Sequence, residues 1–162
     1  PVTPLSPDIF GLLSDLIIIA NTLEPTFQFP LGLKEMRLDV YKEPIDVARL
    51  HPLTRLEYLN LNGRLNTTPG DFSPLVSLTH LNAPDFPVAC LPTSIDACGV
   101  SIVSDLDLSS LTGLTLLHVK LKGDFCLTFP TQLKALIIRE GELKRSNIQD
   151  TAVEETVYWR RD

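Results

Sequence analysis

The chain has 162 residues, a formal net charge of −6 and 44% apolar composition, which suits one domain of ordinary size with a continuous core. The acidic balance argues against a dedicated nucleic-acid binder, which needs a basic field to neutralise phosphate. The longest apolar run, Leu16 to Ala20, falls far short of the roughly 18 residues of a membrane span.

At Pro1 the chain opens without a basic-then-apolar leader, so no signal peptide is expected. Beyond it, a leucine-rich pattern of the form Leu-x-x-Leu-x-Leu begins and keeps returning. Its members are Leu13/Leu16/Ile18, Leu33/Met36/Leu38, Leu56/Leu59/Leu61, Leu78/Leu81/Ala83, Ile95/Cys98/Val100, Leu114/Leu117/Val119 and Leu133/Leu136/Ile138. All 21 of these positions are apolar, and successive starts lie 20, 23, 22, 17, 19 and 19 residues apart. A period of this size predicts a solenoid in which each unit buries its apolar face against its neighbours.

The segments leading into the strands come in two kinds. Ahead of the strands at 56, 78 and 114, apolar residues stand six and three positions before the ladder: Leu50 and Leu53, Phe72 and Leu75, Leu108 and Leu111. Spacing of three predicts a turn or short 3₁₀ segment with its apolar side inward. Ahead of the strands at 33, 95 and 133, proline takes the place of the nearer apolar residue: Phe29-Pro30, Leu91-Pro92 and Phe129-Pro130. Proline fixes φ and gives up a donor, which predicts an extended entry to the ladder. Both kinds predict little α-helix. Val103-x-x-Leu106-x-Leu108 competes with the ladder at 95, but leaves only 11 residues before the strand at 114. The ladder at 95 is preferred.

Residues 1–145 are thus expected to form the solenoid and 146–162 a cap or tail. Asp150 suits the N-cap of a helix from Thr151 to Arg161, with Glu154 and Glu155 near its positive end. Val153 and Val157, at i and i+4, would then close the last coil. The three cysteines, Cys90, Cys98 and Cys126, are expected to be reduced, with a cytoplasmic setting favoured; a Cys90–Cys126 disulfide is the alternative. No Cys-x-x-Cys or His-x-x-x-His spacing occurs, so no metal or other cofactor is expected.

The first unit, Leu13-x-x-Leu16-x-Ile18-x-x-Asn21-x-Leu23, carries the full motif of the leucine-rich repeat family, and the chain resembles that family over about residues 9 to 145. The asparagine is replaced in later units by Tyr41, Arg64, Phe86, Val103, Lys122 and Gly141. The short Phe/Leu-Pro-x-x-Leu units are more similar to those of bacterial effectors than to helix-bearing repeats. The resemblance implies an α/β solenoid dominated by a parallel sheet, a right-handed coil of about seven repeats with little α-helix, that binds a protein partner through its concave face.

In such strands the residues at offsets two, four and six from each ladder start face the concave side. Arg37, Tyr58, Asn60, Asn62, His80 and Asn82 gather there on the second to fourth strands, a mixture of aromatic, amide and guanidinium groups typical of binding hot spots. His118, Lys120 and Arg139 extend the candidate surface onto the sixth and seventh. The fifth to seventh strands are otherwise blander, with Ala97, Gly99, Leu116, Ala135 and Ile137, a stretch suited to an apolar partner surface. An enzyme is not expected: His80 and His118 stand two rungs, roughly 10 Å, apart, and no phosphate loop, nucleophile elbow or HExxH motif occurs. The competing expectation is a structural or self-associating segment of a longer repeat protein, suggested by the few residues ahead of the first ladder.

Overall fold

A computed structural model describes residues 12–66, 72–83, 91–92, 94–102, 105–123, 125–139, 143–146 and 148–159. Every ladder of the sequence holds a strand: β1 (Asp15–Ala20), β2 (Glu35–Val40), β4 (Tyr58–Asn62), β6 (His80–Ala83), β7 (Ala97–Ile102), β9 (Leu116–Leu121) and β11 (Ala135–Arg139). With β13 (Glu155–Trp159) they form one eight-stranded sheet in chain order, parallel throughout. A parallel pair needs a crossover. With parallel neighbours following in chain order, the chain winds as a parallel-strand solenoid with almost no helix among the described residues.

The register stacks equivalent ladder residues: Leu16 against Met36, Met36 against Leu59, then Leu81, Cys98, Leu117 and Leu136. A one-residue slip would turn the whole apolar set to solvent, so the buried face pins this register. From Leu33 to Ile138 every ladder residue is buried. Leu13, just ahead of the first strand, and Leu16 and Ile18 on it are only half-buried.

The two kinds of entry converge on one device. In the first, two turns follow each other: Leu53 N–H donates to the Leu50 carbonyl at 2.8 Å and Leu56 N–H to that of Leu53 at 3.0 Å. Phe72-Leu75-Leu78 and Leu108-Leu111-Leu114 repeat the pair, at 3.0 and 3.0 Å and at 2.9 and 3.0 Å. In the second, proline has no N–H for the earlier turn, yet its carbonyl still accepts. Leu33, Ile95 and Leu133 donate to Pro30, Pro92 and Pro130 at 3.3, 3.2 and 3.1 Å. The entry is therefore a closed turn and not the extended segment that proline alone suggests.

Short strands on the far side were not evident from periodicity. β3 (Ile45–Asp46) pairs with β5 (Leu65–Asn66), and β10 (Phe125–Thr128) lies between β8 (Leu106–Asp107) and β12 (Leu143–Ser146). Leu106, which competed for the main ladder, belongs to this second layer. The core lies between the layers. Asp46 accepts from Ala48 N–H at 3.1 Å and starts the 3₁₀ turn Val47–Leu50. Asp105 accepts from Cys126 N–H at 2.7 Å and ties neighbouring coils.

The C-terminal expectation is corrected. Asp150 ends a 3₁₀ turn, Ile148–Asp150, and Glu155–Trp159 is a strand paired with β11, so no helix runs through these residues. Two forces favour the strand: Thr156, Val157, Tyr158 and Trp159 are β-prone residues, and β11 otherwise presents an unpaired edge. Among the described residues no helix is long and apolar enough to cross a membrane. Cys98 and Cys126 are free thiols, while Cys90 lies outside the described residues.

Candidate functional site

The open face of the main sheet carries a groove of about 490 Å³ across β2 to β11. Strand alternation sends the ladder residues inward and leaves the residues between them to line the groove. Of the candidate residues, Arg37, Asn60, Asn62, Asn82, His118, Lys120 and Arg139 all contribute. Arg37, Asn60, Asn82, Gly99 and His118 stand in one register row, and Ser101, Lys120 and Arg139 in the next. Tyr58 and His80 do not line this groove. They form an adjacent ledge, their rings stacked with centroids 6.1 Å apart at 29°, with Tyr58 40% exposed.

Polar contacts hold the groove wall in place. Asn82 donates from Nδ2 to Oδ1 of Asn60 across neighbouring strands at 3.3 Å. His80 Nδ1 lies 2.9 Å from the Thr79 hydroxyl, which also donates to the Glu57 carbonyl at 3.1 Å. Arg37 forms a bidentate contact with Asp39, Nη2 to Oδ2 at 2.8 Å and Nε to both carboxylate oxygens at 3.2 Å. The Asp39 side-chain hydrogen bond, then its charge, raises the Arg37 pKa above its ordinary value. Burial, and secondly the charge of Arg139, hold the His118 pKa below its ordinary value.

The floor of the groove depends on residues that look unremarkable in the sequence. Gly99 sits between Asn82 and His118, where a Cβ would fall 2.7 Å from Oδ1 of Asn82. Ser101 is only 5% exposed, and its buried hydroxyl has no hydrogen-bond partner. Asp39, also buried, is the second residue on this face of the sheet whose role is not apparent from the sequence. The signal for Asp39 was its position two residues from Arg37 on the same strand face. For Ser101 there was only its place in register beside Lys120.

The charges are unevenly spread. Asp15 and Glu35 stand at one end of the open face, on β1 and β2, while Lys120 and Arg139 lie toward the other, on β9 and β11. Between them lie amides and the stacked rings. His80 and His118 are separated by β7, and among the described residues no group of three or more His, Cys, Asp and Glu side chains gathers as a metal site would require. The surface is equipped for hydrogen bonding and charge recognition. No protein-family model matches the chain, and no curated protein matches it.

Proposed function

We propose that the chain is a leucine-rich-repeat module that binds a protein partner on its concave face. The observation that carries this reading is the groove itself, where side chains from several non-adjacent segments meet on an open face held by a rigid sheet. The stacked Tyr58–His80 pair adds an aromatic anchor whose stacking partner already restrains it, which lowers the ordering cost of binding. The Leu-x-x-Leu-x-Leu ladders and the complete first-unit motif support the family assignment. The test is affinity capture with the intact chain beside a Tyr58→Ala/His80→Ala variant of equal thermal stability. A partner held by the first and lost by the second supports concave binding; equal capture by both contradicts it.

One observation favours a second reading, a self-associating segment of a longer repeat protein. Leu13, just ahead of β1, and Leu16 and Ile18 on it are less covered than their equivalents in later strands, and Ile17 and Ile19 on β1 are exposed. Stacking of further coils on the β1 edge would cover the ladder residues and flank Ile17 and Ile19. Sedimentation over a range of concentrations separates the readings. Association abolished by Ile17→Lys or Ile19→Lys supports stacking, and a concentration-independent monomer contradicts it.

A further inference from the structure

The basic end of the groove has features beyond a generic binding face. Ser101, Lys120 and Arg139 stand side by side on β7, β9 and β11, with Ser101 in register with Lys120 and Lys120 with Arg139. Parallel strands lie about 4.8 Å apart, so the three residues present a hydroxyl, an ammonium and a guanidinium within reach of one small group. The Ser101 hydroxyl is buried and unpartnered. A buried polar group left without a partner is costly, and an incoming acceptor at this position would remove that cost. Gly99, one rung from His118, keeps the approach open. The field of Arg139 is felt inside the groove, since it contributes to the low pKa of His118.

We infer that this end of the groove takes a carboxylate side chain from an acidic segment of the partner, an inference that rests on the concave-face reading above. The chemistry of the three groups suits one carboxylate. A carboxylate accepts two parallel N–H bonds from a guanidinium, leaving lone pairs for the ammonium and the serine hydroxyl. The opposite end of the face selects against a long polyanion: Asp15 and Glu35 stand there, and the whole chain carries −6. A short acidic stretch lying at the β9–β11 end avoids that repulsion. The charge gradient also gives the partner a direction, because reversing it would set its acidic part against Asp15 and Glu35.

The test uses a random-peptide display library selected on the intact chain. Selected peptides are then titrated against Lys120→Gln/Arg139→Gln, Ser101→Ala, Tyr58→Ala/His80→Ala and, as a charge-matched control, Arg64→Gln/Lys122→Gln. Expected are peptides enriched in Asp and Glu that bind less tightly as salt is raised. They should lose about tenfold or more in affinity to the Lys120/Arg139 variant and keep it with the control. Ser101→Ala separates a binding role from a structural one. It removes an unsatisfied hydroxyl, so the melting temperature should hold or rise while peptide affinity falls several-fold; unchanged affinity counts against the inference. Peptides without acidic enrichment, lost with Tyr58/His80 but indifferent to Lys120/Arg139, overturn the carboxylate site and leave concave binding standing. Peptides insensitive to every concave substitution overturn both.

Discussion

Arg37 and Asp39, two residues apart on β2, form an ion pair at 2.8 Å whose halves sit in different surroundings, the carboxylate buried and the guanidinium half exposed. The carboxylate is on the open face of the sheet yet covered, so the arginine partly exposed beside it is its source of compensation. Removing the arginine strands a buried charge, which is costly, whereas neutralising both partners is not. Arg37→Ala should therefore lower the melting temperature more than the double variant Arg37→Ala/Asp39→Asn. Equal melting temperatures would show that the pair contributes only as a surface contact.

Leu59 and Leu117 occupy equivalent ladder positions and are fully buried. Truncation to alanine removes three carbons from a packed layer that stacked neighbours cannot easily collapse to fill. Each should cost about 2–5 kcal/mol, measured by denaturant unfolding. Ile17→Ala on the exposed side of β1 should cost well under about 1 kcal/mol by the same measurement.

Two glycines should respond in opposite ways. Gly63 adopts φ 147°, and a Cβ there would lie 2.3 Å from the Val40 carbonyl oxygen. Neither the backbone conformation nor the carbonyl yields cheaply, so Gly63→Ala should destabilise by about 1 kcal/mol or more. At Gly99 the obstacle is the end of the Asn82 side chain, which can rotate away. Gly99→Ala should leave the melting temperature nearly unchanged while reducing partner binding, because the methyl group occupies the groove floor.

Much of this architecture was legible because a period of two combined with one buried face leaves a single register. The Leu-x-x-Leu-x-Leu ladders mark that face directly, and spacing of three marks the turns at Leu50, Phe72 and Leu108. The far-side strands were not legible: Ile45–Asp46 and Leu65–Asn66 are two residues each, too short to show alternation. The end of the chain misled for another reason. Asp150 and the Val153/Val157 spacing resemble a capped helix locally, but the β11 edge is a tertiary feature, and pairing with it favoured a strand. In the site, Arg37, the three asparagines, His118, Lys120 and Arg139 followed from strand alternation. Ser101 did not, since whether a serine is covered depends on its neighbours across the sheet.

Titration provides an independent check on the groove. His118 should titrate below its ordinary value of 6.5 in an NMR experiment, and Arg139→Gln should move it only part of the way back, because burial is the larger cause. The unfolded chain then binds more protons in the window below about 6.5. The His118 contribution to stability is full above that window and is lost as pH falls through it. Cys98 behaves oppositely at high pH. Burial pushes its thiol up to about 12 from an ordinary 9.0, so its contribution is full below 9.0 and is lost as pH rises toward 12. Alkylation of the native protein should spare Cys98 and reach it only on unfolding.

The central claim is that recognition occurs on the concave face. Its most direct test is calorimetric affinity for a captured partner, measured for Tyr58→Ala and for the turn variants Arg64→Ala and Lys122→Ala. The account predicts a loss of about 2 kcal/mol or more, about thirtyfold, for Tyr58→Ala at an unchanged melting temperature, with both turn variants close to the parent. Full affinity in Tyr58→Ala, with binding abolished by the turn variants, would contradict it and move the interface to the edge or far side of the solenoid.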